Sequence, residues 1–460
     1  MRVPSRDDLL RLLWGLPLWR PLAAGLDRLP LRRPEVPALE AGRPGPLDGW
    51  LAGQAGAGLV AGAAAVDITP QPGCNLAGFG FARRASAVRD PLFARALVLA
   101  EGGVPLVLVT LDLIGLSHPR AARLRALISA RHPANVWLVS THNHQSPDTL
   151  GLWGPGALGV FPRASGLDPG YQGALEARVL EAVERALGAA RPARLHLASA
   201  EFDPAGRWVH NERSPVLDRE LRVLHLVGED GGAIATLAQH ACHPETLWAD
   251  GTWVSADFCG VTCRRLEAEL GGVGLYANGA LGAMVSAAVG HTTPAAEREA
   301  LLGDLGEALG RAAVELAAQA RRAGARPTGL EVRRAEVAFP ADESNLYRLL
   351  LAMGIVERRP IRDGIRTEVS LARLGPASLL GVPGEPAPAL GLGLVARLPG
   401  APRFLFGLCN DELGYLLPRE FFGDPAYAYE TRMSPGPSAA GLLAAAVERL
   451  VQDGAGRAQA

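Results

Sequence analysis

Short apolar runs that stop abruptly at polar clusters constrain this chain most. Val104–Leu111 reads VPLVLVTL and Asn135–Ser140 reads NVWLVS. Runs of this length, rich in β-branched residues and lacking polar alternation, predict strands buried on both faces. Leu221–Val227 and Ala233–Gln239 predict two neighbouring strands, separated by a turn at Gly231–Gly232. Val273–Ala277, Ser378–Val382 and Arg403–Phe406 are shorter strands. Helical spacing marks Arg120–Arg131, Arg178–Ala190, Arg264–Leu270, the Ala-rich Arg298–Ala320 and Gly441–Val451. Alternating strands and helices with some hairpin-like pairs predict an α/β (mixed α+β) fold, a mixed β-sheet core with flanking helices.

The chain can fill such a core: of its 460 residues 48% are hydrophobic and 20% charged, which excludes disorder over most of the length. The formal net charge is −1, so no global field favours nucleic acid. All 46 basic residues are Arg. Cys74, Cys242, Cys259, Cys263 and Cys409 are odd in number and scattered, which argues against a disulfide framework. Cys259 and Cys263 share a helix face and read as packing residues. There is no GxGxxG or GxxxxGK[ST] loop to support nucleotide binding.

No run reaches 18 uncharged apolar residues, the length a membrane-spanning helix needs. Leu9–Leu18 reads LLRLLWGLPL, with Asp7 and Asp8 before it and Arg11 inside it. That is a poor export signal, so a cytoplasmic or peripheral-membrane location is the expectation. Residues 1–30 fit an amphipathic helix, either packed on its own domain or lying on a membrane surface. Residues 31–56 are rich in Pro, Gly and Ala and read as a linker. The expected division is therefore 1–56, an amphipathic segment and linker, and 57–460, the catalytic domain.

Two polar clusters at strand ends carry the chemistry. Ser140–Asp148 reads STHNHQSPD and follows NVWLVS directly. In extended backbone His142 and His144 face one side, which suits a metal site with an acid/base group; two imidazoles bonded to nearby carbonyls are the alternative. Gln239–Glu245, QHACHPE, offers His240 and His243. Four of the 10 His lie in these two clusters. A catalytic zinc takes three or four protein ligands and keeps a position for water. Glu385, in Val382–Pro386 (VPGEP), would supply a carboxylate, and Tyr415, in Asn410–Tyr415 (NDELGY), a phenolate. Tyr276–Ala287 (YANGALGAMVSA) carries small residues that would let backbone N–H groups approach an oxyanion. Ser286 there is a candidate nucleophile; a close-packed turn explains the segment equally well. Asp67 reads as a turn residue, Asp112 as a partner of a ligand His or a strand-end turn, Asp257 as a helix cap and Glu412 as a solvated loop residue.

The order of these motifs resembles the N-terminal catalytic domain of the neutral/alkaline ceramidases, zinc amidases that hydrolyse N-acylsphingosine. AVDITPQPGCNLAGFG (Ala65–Gly80) is similar to the family's opening D-I-T segment and Gly-rich turn, and DPLFARAL (Asp90–Leu97) to its Arg-Ala strand. STHNHQSPD is similar to G-T-H-T-H-S-G-P, and NERSP (Asn211–Pro215) to N-R-S-P. HACHPETL with Ser255–Asp257, VPGEP and NDELGYLLPREFF resemble the later His, Glu and Tyr segments. The resemblance runs from about residue 60 to about residue 450. It implies that His142, His243, Glu385 and Tyr415 hold zinc, that His144 works as acid/base, and that Arg213 contacts the substrate carbonyl or oxyanion.

The chain also departs from the family. N-x-G-D-x-S-P-N appears here as NGALGAMVSA, with Ala283 at the acidic position and the serine displaced to Ser286. The family's immunoglobulin-like C-terminal domain is not expected in this chain. The expected function is zinc-dependent hydrolysis of an amide in an N-acyl lipid such as ceramide. A related metal hydrolase of another amide or ester, and a non-catalytic scaffold that has kept the fold, are the alternatives. The expected partner is a small-molecule or lipid substrate, without nucleic acid.

Overall fold

Strands buried on both faces need a layer of partners on each side, and this chain supplies them by folding one sheet over. The computed structural model describes residues 58–157, 161–162, 164–286, 292–340 and 364–457. The amphipathic segment and the linker expected in residues 1–56 lie outside them. Eight strands form the main sheet: β1 (Val60–Asp67), β2 (Phe93–Ala100), β3 (Leu106–Leu111), β4 (Asn135–Ser140), β5 (Arg191–Glu201), β6 (Glu220–Gly228), β7 (Ala233–His240) and β8 (Val273–Asn278). Their order is β8-β7-β6-β5-β1-β2-β3-β4, with β3/β4 and β7/β8 parallel and the other pairs antiparallel. The mixed sheet with flanking helices expected from the sequence is present.

The two halves of this sheet are joined by only two residue pairs, Val60 with Pro192 and Ala61 with Arg191. Residues of both halves then meet in one apolar cluster. Along β2, Leu97 and Leu99 enter that shared cluster, while Ala94, Ala96 and Val98 face a second one with helices α1 (His118–Arg131) and α2 (Pro169–Gly188). Along β6, Leu224 and Leu226 enter the shared cluster, while Leu221 and Val223 face α3 (Asp257–Leu270) and α4 (Ala295–Arg322). Period-2 alternation is kept, but both faces are apolar, so the sequence shows runs rather than alternation.

A second sheet, β9 (Leu330–Phe339), β10 (Ile365–Leu374), β11 (Ala377–Gly381) and β12 (Arg403–Phe406), adds Leu379, Phe404 and Phe406 to the shared cluster. Its other face, with Leu380 and Leu405, packs with α5 (Pro388–Ala396) and α6 (Ala439–Arg457).

Most sequence boundaries shift by a few residues. β3 begins at Leu106 rather than Val104, because Val104 is exposed and Pro105 has no N–H to give a ladder. The helix expected from Arg178 starts at Pro169, where the Asp168 carboxylate accepts the N–H groups of Gly170 and Tyr171. β1, VAGAAAVD, does not read as a strand in sequence. Its small residues serve close packing: a Cβ on Gly62 would lie 2.1 Å from the Ala186 carbonyl of α2. Cys259 and Cys263 are buried together on α3, as packing residues should be. Among the described residues, no helix is long and apolar enough to cross a membrane.

Candidate metal centre

Both histidine loops leave strand ends, and one side chain ties them together. After β4, His142 adopts a left-handed backbone, φ 67°, a conformation that non-glycine residues hold only when their surroundings enforce it. Asn278, the last residue of β8, donates from Nδ2 to the Thr141 carbonyl at 3.0 Å and to the Cys242 carbonyl at 2.7 Å. Its Oδ1 accepts the Cys242 N–H at 3.0 Å. The loops carrying His142 and His243 are thus fixed to a common buried amide. The Asp257 carboxylate adds support by accepting the N–H of Thr246 at 3.0 Å and its hydroxyl at 2.8 Å. Glu385 and Tyr415 come from two short segments paired in parallel, residue opposite residue.

Each of these histidines has its ring orientation set by a backbone carbonyl. His142 Nδ1 lies 2.9 Å from the Ile114 carbonyl, and His243 Nδ1 lies 2.9 Å from that of Met284. A carbonyl only accepts, so both Nδ1 atoms carry the proton and both Nε2 atoms present a lone pair when the rings are neutral. Those Nε2 atoms converge on one carboxylate oxygen: Glu385 Oε2 is 3.4 Å from His142 and 3.0 Å from His243. Lone pairs facing a carboxylate need a proton or a cation among them. This is the arrangement by which carbonyls orient metal-binding imidazoles, and imidazole nitrogens with carboxylate oxygens suit a divalent transition metal.

Electrostatics agree with that account. Burial pushes His142 down to about 4 despite the Glu385 charge. Burial also disfavours the charged form of His243, but its hydrogen bond to Glu385 and the carboxylate's charge outweigh this and raise it to about 9. Without a cation, one buried imidazolium would have to take its place.

His144 completes a triangle of imidazoles. Ring centroids are 5.0 Å apart for His142–His144, 4.8 Å for His142–His243 and 5.7 Å for His144–His243. Neither nitrogen of the buried His144 has a hydrogen-bond partner, and its nearest acid is Glu245, 3.7 Å from Nδ1. Orphaned buried nitrogens of this kind need a ligand or a water. Burial, then the positive neighbours His142, His243 and Arg83, hold His144 well below its ordinary pKa. Two groups of ligand atoms lie within 4.8 Å of one another: His142, His144 and His243, and His142, Glu385 and Glu412. These residues could hold a metal ion.

Glu412 corrects the sequence expectation. It is buried rather than solvated, because its segment turns inward and its Oε1 accepts the Gly414 N–H at 2.6 Å. Its place three residues before Tyr415, in the same turn, was the available signal. Glu245 and Arg83 were also missed; Arg83 donates to the carbonyl of His144.

The remaining candidates sit further out. Tyr415 stacks on His243 with centroids 6.4 Å apart and lines the pocket beside Glu385. Burial, then the Glu385 charge, raises its phenol well above the usual value. Arg213 is half-buried, and its Nε donates to Glu430 at 2.6 Å. Ser286 lies on a short strand paired with Val209–Asn211; its hydroxyl is buried without a partner and does not line the pocket. His240 faces away from the metal group, with Nδ1 3.3 Å from the Glu220 carbonyl. Asp112 is taken up by Arg95 at 2.7 Å, and Asp67 accepts the Thr69 N–H at 2.7 Å as a turn residue should. The pocket over the imidazoles has apolar walls that include Leu150, Leu152, Trp153 and Met433.

No family model matches the sequence, and no curated protein is significantly similar to it. Solved structures are similar in fold. The neutral ceramidase from Pseudomonas aeruginosa superposes with a TM-score of 0.70 at 18% identity, over 86% of this chain and 75% of that one. A ceramidase complexed with C2 superposes with a TM-score of 0.68 at 18% identity, over 86% and 76%. The described chain therefore has the fold of these ceramidase structures.

Proposed function

We propose that this chain is a zinc-dependent hydrolase of an amide bond in an N-acyl lipid such as ceramide. The observation that carries the reading is the convergence of His142 Nε2 and His243 Nε2 on Glu385 Oε2, with both Nδ1 atoms held by carbonyls. The likeness in fold to two ceramidase structures supports the substrate class.

His142, His243, Glu385 and Tyr415 would hold the metal. Zinc, when bound, acts as a Lewis acid and lowers the pKa of water to about 7. His144 has no competing hydrogen bond and is held in its neutral form, so it would take a proton from the attacking water and return it to the departing amine, which must be protonated to leave. Arg213, kept near Tyr415 by Glu430, would offer its guanidinium to the substrate carbonyl. Leu150, Leu152, Trp153 and Met433 would hold the acyl chain and exclude water. Ser286 in its present position is the weaker nucleophile candidate.

A related hydrolase acting on a different amide or ester is the second reading. It is favoured by the NGALGAMVSA segment, in which Ala283 stands where the family has an acid and the serine is displaced to Ser286. The test is metal content of the purified protein by plasma mass spectrometry, with His142→Ala beside it, followed by a panel of N-acyl lipids, short N-acyl amides and esters. About one zinc per chain, lost in the variant, with turnover of the long-chain amides, is expected. A metal-free protein that takes up no zinc would overturn the reading, and turnover confined to short amides or esters would favour the second.

A further inference from the structure

We infer that Glu412 is itself a ligand of the metal, adding a second carboxylate to the set named above. The inference rests on the metal-centre reading and extends it to a residue that neither the motif resemblance nor the pairing of Glu385 with Tyr415 assigns. Three observations carry it.

The first is placement. The Glu412 carboxyl is buried and lines the same pocket as His142, His144 and Glu385. Its ligand atom lies within 4.8 Å of those of His142 and Glu385, and its side chain is hydrogen-bonded to that of Glu385. The backbone enforces this position from two sides. Oε1 accepts the N–H of Gly414, a residue with φ +75°. On the other side, a Cβ on Gly115 would lie 2.7 Å from the Glu412 Cβ, so only glycine leaves the acid room.

The second is charge. Two buried carboxyls in contact repel unless a proton or a cation lies between them. The nearby guanidiniums are engaged elsewhere: Arg213 holds Glu430, and Arg83 bonds the carbonyls of Ala77, His144 and Gly251. A dication held by two carboxylates, neutral imidazoles and an un-ionised Tyr415 phenol leaves the centre neutral, the state that burial favours.

The third is His144, whose two ring nitrogens are buried without partners in the same pocket. An unpartnered buried imidazole thus faces the same cavity as the two carboxyls. A purely structural glutamate, present to bond Gly414, would not need to reach Glu385.

Glu412→Gln tests this. It keeps the size of the side chain and the oxygen that accepts from Gly414. The measurements are zinc affinity by chelator competition, the visible spectrum of the Co2+-loaded protein, and the melting temperature of the metal-free protein. The expected result is zinc binding at least about 100-fold weaker, beyond most losses from residues that only orient a ligand. The Co2+ spectrum should change shape and intensity through loss of an oxygen donor, with the metal-free melting temperature within a few degrees of wild type. Wild-type zinc affinity with an unchanged Co2+ spectrum would overturn the inference while leaving the metal centre intact. A wild-type protein that binds neither metal would overturn the metal centre itself. If Glu412→Gln fails to fold, Gly115→Ala, which crowds the acid from behind, is measured in the same way; an unchanged affinity and spectrum there would overturn the inference too.

Discussion

His243 Nε2 lies 3.0 Å from Glu385 Oε2, across 142 positions of sequence. The two residues come from different sheets, His243 from the loop after β7 and Glu385 from the turn that follows β11. Their contact, shared with His142, is where the folded chain concentrates its unresolved electrostatics.

Replacing that carboxylate should therefore empty the centre. Glu385→Gln keeps the shape but presents a neutral amide to two lone pairs. Zinc per chain is expected to fall from about one to near zero, with amide hydrolysis lost in parallel. Metal analysis after gel filtration checks it; a variant with full zinc content would remove Glu385 from the ligand set.

Asn278 should matter to both stability and metal affinity, because its amide joins the two histidine loops through the carbonyls of Thr141 and Cys242. Asn278→Ala leaves these buried carbonyls and the Cys242 N–H unsatisfied. At about 1–3 kcal/mol for each unpaired group, partly offset by relaxation or water, a loss of roughly 3 kcal/mol is expected. Urea unfolding of the metal-free protein gives the number. A change below about 0.5 kcal/mol would mean the loops are held by other contacts.

Gly78 sits directly against His144. Its φ is +89°, and an added Cβ would fall 2.3 Å from His144 Cγ. Gly78→Ala must displace the imidazole or the loop, besides about 1–2 kcal/mol of backbone strain. The expected outcome is a folded protein that keeps its zinc and loses most of its kcat. Steady-state kinetics beside metal analysis checks it, and unchanged kcat would separate His144 from the chemistry.

The apolar wall predicts a dependence on acyl length. Leu152→Asp puts a charge where the pocket is lined by Leu150, Trp153 and Met433. KM is expected to rise by about tenfold or more for long-chain N-acyl substrates and little for N-acetyl ones, since each buried methylene contributes about 0.8 kcal/mol. Equal effects on both would place the acyl chain elsewhere.

Acid should destabilise the fold through histidines remote from the centre. His225 is buried beside Thr236, and burial, then the charges of Arg321 and His196, lower it from 6.5 to about 4. Between those values the unfolded chain binds more protons than the folded one, so stability present at pH 7 is lost as pH falls from about 6.5 towards about 4. Urea midpoints across that range should decline in wild type and decline less in His225→Gln. Parallel slopes would assign the acid sensitivity to other groups.

How much of this was legible in the sequence depended on distance along the chain. β4 and β12 were readable to the residue, as both are short apolar stretches with clear ends. The histidine clusters were readable because polar residues cut off an apolar strand. β1 was not, since alanine and glycine carry little strand preference and were selected by the close approach of α2. Glu412 was misread because a glutamate two residues before a glycine looks like a solvated turn, and only the inward course of that turn buries it.

Sequence alone thus determined the mixed α/β class, the positions of most buried strands and the residue types able to bind a metal. Those follow from local properties: hydrophobic period, turn residues and side-chain donors. Tertiary structure alone decided that the sheet folds over at the two pairs joining β1 and β5, that Asn278 ties the two loops, and that Glu412 rather than His240 stands beside the imidazoles. These depend on which segments meet across more than a hundred residues, where hydrogen bonding of buried amides and close packing select the partner and no local pattern records it.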